Sequence, residues 1–300
     1  MKANSLPRRA ILVVNTRSRI GAEAFDPAKA KLEAQGVELI EAHRVDQPEK
    51  MSAIVKRAVT RAPMVIVGGG DGTLSSNIDY FKDRDTVFAI LPLGTANSFA
   101  RSLHMPLDLD GAVEVIAHGE PRRIDLGCIN GDYFGNSAAI GLSPLIAKSV
   151  PPKLKKYAGR VGYALWAAKV GINYHPFRLM IDYGEAHATV WATEVRIANG
   201  GYFGGVELVE DAEVDSGEIV VQVVTGKSQR SLVQNWVANM LKLGSRDQWQ
   251  AEIRAKELRL ATDPPQDVTI DGELAARTPI EVRVVPHAVR IAAPKSQKNS

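Results

Sequence analysis

Two short runs hold the residues whose types and spacing could do chemistry. In the first, Met64-Val65-Ile66-Val67 leads into Gly68-Gly69-Gly70-Asp71-Gly72-Thr73. An apolar run bounded by glycines suits a buried parallel strand, and glycines let the backbone turn tightly with its N–H groups turned to a ligand. Thr73 is the expected N-cap of the next helix. Unpaired N–H groups and the partial positive charge of a helix N-terminus favour polyphosphate there. Asp71 would repel such a ligand unless a cation lay between them, so it points to magnesium, or its water shell, bridging carboxylate and phosphate. The second run repeats the unit: Val87 to Leu91 is apolar, Pro92-Leu93-Gly94 turns, Thr95 is the expected cap, and Ala96 to Leu103 the expected helix. A lone glycine run also reads as an ordinary strand-to-helix turn. Two such units, aiming two helix N-termini at one polyphosphate, are more specific than either alone.

These runs need elements to position them. Ala10 to Val14 reads as a first buried strand, Asn15 to Gly21 as a polar loop with Arg17 and Arg19, and Pro27 to Gln35 as a helix. Strand Val37 to Ala42 and helix Glu49 to Thr60 follow. Strand and helix alternating at short spacing predict a parallel sheet with helices on both faces, whose ligands gather at the carboxyl ends of the strands. After a helix over Asp110 to His118 and the strand-like Pro121 to Gly127 the texture changes. Phe177–Tyr183, Ala188–Ala198, Ile219–Val224, Glu252–Leu260, Val268–Ile270 and Ile280–Val285 are strand-like runs broken by turn residues, and they predict a β-rich, sandwich-like second domain. Helices are expected over Lys156 to Val170 and Ser231 to Leu243. The expected division is an α/β nucleotide-binding domain over 1–128, a β-rich domain over 129–292 and a polar tail over 293–300.

Composition narrows the class. A chain of 300 residues, 45% hydrophobic, can bury the cores of two ordinary domains. Its net charge of +3 is too weak to argue for nucleic acid, though it suits a surface that visits anionic lipid. A single cysteine, Cys128, excludes an internal disulfide and a cysteine-based zinc site, which fits a reducing cytosol. Met1 to Arg9 is short and polar and the apolar run Ala10 to Val14 that follows is far too short for a membrane span, so membrane contact is expected to be peripheral. Lys148, Lys153, Lys155, Lys156 and Arg160 beside an apolar helix suit anionic headgroups, and equally a solvated basic loop. Gly226-Lys227-Ser228 lacks the glycine that a P-loop needs at 221, which is Val221.

Taken together, Gly69-Gly70-Asp71-Gly72-Thr73, Leu93-Gly94-Thr95-Ala96-Asn97, Asp125, Asn199-Gly200 with Gly204-Gly205, and Asp271-Gly272-Glu273 resemble the diacylglycerol kinase catalytic-domain family. The resemblance is to its soluble bacterial lipid kinases, relatives of the sphingosine kinases, and runs from Leu12 to Ile291. It implies ATP and magnesium as cofactors and transfer of the γ-phosphoryl group to a lipid hydroxyl, diacylglycerol-like, in the cleft between the domains. It implies ATP binding by Asn15, Gly69, Gly70, Asp71, Gly72, Thr73, Gly94, Thr95 and Asn97. It places Asp71 and Asp125 in an acidic network around the catalytic magnesium, and makes Glu273 the general base. A carboxylate suits that last role, because a lipid hydroxyl is a poor nucleophile until its proton has somewhere to go. Without the family, Asp271-Gly272 is a hairpin turn and nothing more.

The sequence also departs from the family pattern. Ser75 and Ser76 stand where an Asn and a Glu are usual, and Ser98 stands where an Asp follows Asn97. Asp215-Ser216-Gly217 replaces the Asp-Asp-Gly of a structural magnesium loop, leaving Asp215 as its remaining ligand. Two other readings remain open: an NAD kinase, which shares the Gly-Gly-Asp-Gly-Thr loop, and a non-catalytic nucleotide-binding regulator, to which the three serines point. Expected partners are the lipid substrate and an anionic membrane surface, with no nucleic acid; the expected place is cytoplasmic, transiently at the membrane surface. A homodimer is left open.

Overall fold

The structure, a computed structural model, describes residues 5–151, 166, 169–171, 174–203, 205–207, 209, 212–225 and 251–295. The first part alternates as the apolar spacing dictates: β1 (Arg9–Asn15), α1 (Arg19–Ala34), β2 (Glu38–Val45), α2 (Pro48–Ala58), β3 (Met64–Gly69), α3 (Asp71–Ile78), β4 (Val87–Pro92), α4 (Ser98–Ser102) and α5 (Leu109–His118). Strands β2, β1, β3 and β4 pair in that order, all parallel. Every residue of β3 and β4 is buried. Along β1, β3 and β4 the side chains alternate between two cores. Ile11, Val13, Val65, Val67, Phe88 and Ile90 join Met51 and Val55 of α2 and Leu74 and Ile78 of α3. Leu12, Val14, Ile66 and Leu91 join Phe25 and Leu32 of α1 and Val113 and Ile116 of α5. Helices therefore cover both faces and leave the carboxyl ends of the strands to the loops.

The second part is β5 (Glu120–Ile129), β6 (Asp132–Phe134), β7 (Ser137–Gly141), α6 (Leu142–Ser149), β8 (Phe177–Tyr183), β9 (Ala186–Ala198), β10 (Tyr202–Phe203), β11 (Val206–Glu207), β12 (Ile219–Thr225), β13 (Ala251–Ala255), β14 (Glu257–Asp263), β15 (Asp267–Ile270), β16 (Glu273–Arg277) and β17 (Ile280–Ala293). It is a β-rich, sandwich-like unit built on antiparallel pairs, among them β7 with β9, β8 with β9, β14 with β8 and β15 with β7. A third core of Ile140, Phe177, Leu179, Val195, Ile197, Val221 and Val282 fills it. Strand β17 joins the two parts, pairing with β14 through Ile280 to Arg283 and with β4 through Ile291 opposite Phe88.

Several boundaries differ from the sequence reading. Helix α1 starts at Arg19, capped by Ser18, whose hydroxyl accepts from the Gly21 amide at 3.0 Å, so Pro27 lies inside it. The single strand expected over Glu252 to Leu260 is two, β13 on β12 and β14 between β8 and β17. Strand β17 runs on to Ala293 past a register shift between Val285 and Val289, where His287 has φ of 52°. Of the helix expected over Lys156 to Val170, only Trp166, Lys169 and Val170 are described, all helical. Lys153, Lys155, Lys156, Arg160, Gly204 and the stretch Gly226 to Gln250 lie outside the described residues.

Candidate active site

The three loops at the carboxyl ends of β1, β3 and β4 are tied together. Asn15 Nδ2 donates to Thr73 Oγ1 at 2.9 Å, joining the end of β1 to α3. The Leu93 amide donates to Gly69 O at 2.9 Å. A Cβ on Gly94 would stand 2.6 Å from Gly70 Cα, and one on Gly69 would stand 2.5 Å from Thr73 Cβ, so glycines are what allow the loops to close on each other. Asp71 Oδ1 accepts from the Phe99 amide at 3.0 Å and holds the start of α4. Asn15, Gly69, Gly70, Asp71, Gly72, Thr73, Gly94, Thr95 and Asn97 are thus brought to one edge of the sheet.

The two threonines are not caps. Gly70 occupies the cap position of α3 and no side chain caps it, so the N-terminus of α3 stays open. Thr73 lies in the first turn, with its hydroxyl committed to Asn15. At the second loop Asn97, with φ of 49°, takes the cap position of α4, and Thr95 is exposed. Asn97 Oδ1 accepts from the Gly94 amide at 2.8 Å and Nδ2 donates to Gly94 O at 3.0 Å. The side chain expected to bind ATP staples its own loop, and the second helix is only the five residues Ser98–Ser102.

Glu273 comes to this edge from far along the chain. Asp271 and Gly272 have φ of 46° and 91°, the two left-handed residues of a type I′ turn, and Ile270 pairs with Glu273 across it. This is the Asp-Gly hairpin of the sequence reading. Glu273 Oε1 lies 3.6 Å from the place a Cβ of Gly72 would take, against the first turn of α3. Asp271 fixes the turn: Oδ1 accepts from the Ser137 amide at 2.9 Å, Oδ2 accepts from Ser75 Oγ at 2.6 Å, and its own amide donates to Ser137 O at 2.8 Å. Burial pushes the Asp271 carboxyl up to about 6, and the Asp71 charge adds to the rise against the hydrogen bonds from Ser75 and the amides of Ser137 and Gly135. Sequence reasoning missed this role of Asp271 and Ser75. A signal was available, since Ser75 stands four residues after Asp71, on the same helix face.

Asp125 is used elsewhere. It is buried in β5, with Oδ1 accepting from the His287 amide and Oδ2 from the Gly217 amide, each at 2.7 Å. Each oxygen accepts one amide in joining β17 and the 214–217 loop to β5; the alliance with Asp71 around magnesium is an expectation of the resemblance. Asn199 serves the same junction, donating to Asp125 O at 3.0 Å and Gly135 O at 2.9 Å. Asp215 is engaged as well. Arg122 reaches it with two parallel bonds, Nε to Oδ2 at 2.7 Å and Nη2 to Oδ1 at 2.6 Å, so a guanidinium stands where the resemblance implies a structural magnesium. The residues present do not fit a metal there. Among the described residues no three His, Cys, Asp or Glu side chains gather as a metal cage. Nor is any described helix long and apolar enough to cross a membrane.

Comparison with known proteins agrees with this architecture. The chain is 26% identical over 308 residues to a diacylglycerol kinase of Staphylococcus epidermidis, covering 97% of this chain and 94% of that relative. It is 26% identical over 236 residues to a "probable lipid kinase YegS-like" protein of Chromohalobacter salexigens, covering 77% of this chain and 76% of the relative. Crystal structures from Bacillus anthracis share the fold, one with a TM-score of 0.80 at 21% identity over 97% of both chains. A second, of a diacylglycerol kinase, has a TM-score of 0.76 at 21% identity, over 95% of this chain and 97% of its own. The diacylglycerol kinase catalytic domain model matches residues 9–129, and the YegS C-terminal NAD kinase β-sandwich-like domain model matches 137–293. With both models matched in order, the chain belongs to the diacylglycerol kinase catalytic-domain family of lipid kinases, in its form with a YegS C-terminal domain.

Proposed function

We propose that this lipid kinase transfers the γ-phosphoryl group of ATP to the hydroxyl of a diacylglycerol-like lipid, with Glu273 as the general base. The observation that carries the reading is the seat of Glu273 against Gly72, in the first turn of the uncapped helix α3. A carboxylate beside an open helix N-terminus places a proton acceptor next to a polyphosphate seat. Leu274, the next residue, is 56% exposed on the edge strand β16, which gives the acceptor side an apolar surface suited to a lipid.

In this reading residues 1–128 hold the nucleotide and residues 129–292 present the lipid. The loops at Gly69 to Thr73 and at Gly94 hold the phosphates through backbone N–H groups. Asp71 fits magnesium in the manner usual for nucleotide sites, with one or two carboxylates and the rest of the shell from phosphates and water. Held there, the ion would supply neutralisation of the phosphate charge. As Glu273 Oε1 accepts the hydroxyl proton, the lipid oxygen bonds to the γ-phosphorus and the bond to the departing ADP oxygen breaks. Thr73, Asn15 and Asn97 keep the loops closed, and Asp125 works in the junction between the parts rather than on the phosphates.

The test is transfer of labelled phosphate from ATP to diacylglycerol, phosphatidylglycerol, sphingosine, ceramide and NAD, comparing the native chain with Glu273→Gln. Label in a lipid that falls by about 100-fold or more in the variant is the expected result. Label in NAD without any in lipid would make the chain an NAD kinase. Bound ATP with no acceptor labelled would make it a regulator.

A further inference from the structure

Ser75 stands where the family pattern has Asn, and none of the roles above uses it as part of the reaction. Its hydroxyl spans the two parts of the molecule, from α3 to the turn between β15 and β16. The same helix face carries Asp71, whose carboxylate holds the start of α4, and Gly72, where Glu273 Oε1 lies 3.6 Å from the place a Cβ would take. On the other side of the turn, Asp271 is bound twice to Ser137 of β7, and Ile270 pairs with Ala138. Strand β16 has β15 as its neighbour in the sheet and lies at the edge. The turn therefore hangs from β7 on one side and has the Ser75 hydroxyl as its direct hydrogen bond to α3 on the other. A bond of 2.6 Å from a hydroxyl to a carboxylate is short and charge-assisted. Serine's single-carbon reach demands that turn and helix stand close.

We propose that Ser75 is a positioning residue for Glu273: through Asp271 it sets the height of the base-bearing turn over the first turn of α3. The proposal rests on the reading of Glu273 as the base. Ser76 is the natural contrast, because it is exposed and its hydroxyl donates to Thr73 O within its own helix.

Ser75→Ala is expected to lower kcat about tenfold while KM for ATP stays within about twofold, because the phosphate loops lose nothing. Ser75→Thr restores the hydroxyl and is expected to restore kcat. Ser76→Ala is expected to match the native chain. In a cycle with Asp271→Asn, the double variant should be no slower than Asp271→Asn alone, as for two groups acting through one another. Hydrogen exchange over residues 267–277 gives a readout independent of turnover and should quicken in Ser75→Ala but not in Ser76→Ala. A raised KM with kcat unchanged would overturn the proposal, as would quickened exchange with unchanged kcat or a double variant showing the product of the two losses. If the native chain phosphorylates no acceptor, the functional reading fails. Exchange then decides alone, and unchanged protection of the turn in Ser75→Ala overturns the positioning role as well.

Discussion

Two groups of acids lie in this molecule, and their surroundings differ. At the junction, Asp125 is met by two backbone amides and Asp215 by a bidentate arginine. At the edge of the parallel sheet, Asp71, Asp271 and Glu273 gather around α3, and among the described residues no Lys or Arg pairs with any of them. Compensated charge is what a fold needs when it buries a carboxylate. Like charges held near one another without a cation cost stability even where amides and a hydroxyl meet them, as at Asp71 and Asp271, and such groups cluster where a cationic ligand or a proton transfer can use them. The proposed division into structural and working acids follows these surroundings rather than residue type, since all five are Asp or Glu within family motifs.

Asp71→Asn tests the working side and should have the largest effect. The amide keeps an oxygen for the Phe99 N–H and removes one of the charges that press on Asp271. We expect phosphate transfer to fall by about 1,000-fold, as when a group aimed at transition-state charge is lost, with a melting temperature that holds or rises. A variant that loses activity because it unfolds would break the comparison, for Asp71 would then be a structural acid like Asp125.

Arg122→Met tests the other side. It leaves the Asp215 carboxylate without its cation and should lower stability by about 1–2 kcal/mol, a few degrees in melting temperature for a chain of this size. Transfer rate and KM for ATP should stay within about twofold. Chelation of divalent ions should leave the native melting temperature unchanged, because the guanidinium supplies the charge at Asp215. A native chain that melts earlier in chelator, with the same loss in Asp71→Asn, would show that the arginine has not displaced a metal.

What the sequence makes legible follows from the range over which the signal acts. The alternation of β1, β3 and β4 with their helices is written in local apolar spacing, and so is the I′ turn at Asp271-Gly272. The close approach of the glycine loops was legible because glycine's freedom is a property of the single residue. The employment of a polar side chain was not legible, because it depends on what arrives from elsewhere. Asn97 turns back on Gly94, three residues away, yet Asp125 waits for His287, 162 positions further on. Asp215 finds Arg122 93 positions earlier. The caps failed for a nearer reason. Both threonines sit one turn from the strand ends, but α3 starts at Asp71 immediately after the glycines, and the tight second loop leaves room for only a short helix at Ser98.

Asp79 gives the comparison its finest edge, with the smallest effect. It lies eight residues after Asp71, just beyond α3, and its carboxyl is pushed up to about 6 by partial burial and then by the neighbouring Asp132, with Lys82 opposing. It shares the raised affinity for protons of Asp271 without touching the loops or the turn. Its ordinary value is 3.8, so between pH 4 and 6 the folded chain holds a proton that the unfolded chain releases. The contribution of Asp79 to stability is whole below pH 3.8 and is lost as pH rises through 6, above which the charge weakens the fold. Asp79→Asn should therefore melt higher than the native chain at pH 7.5, by less than about 1 kcal/mol because the group reaches solvent, and the gap should close near pH 4. Phosphate transfer should be unchanged at both. If it instead falls as far as in Asp71→Asn, an uncompensated carboxylate near α3 is enough to mark the working region, whatever it touches. If only the melting curve moves, the mark is the company that Asp71, Asp271 and Glu273 keep with the open end of α3.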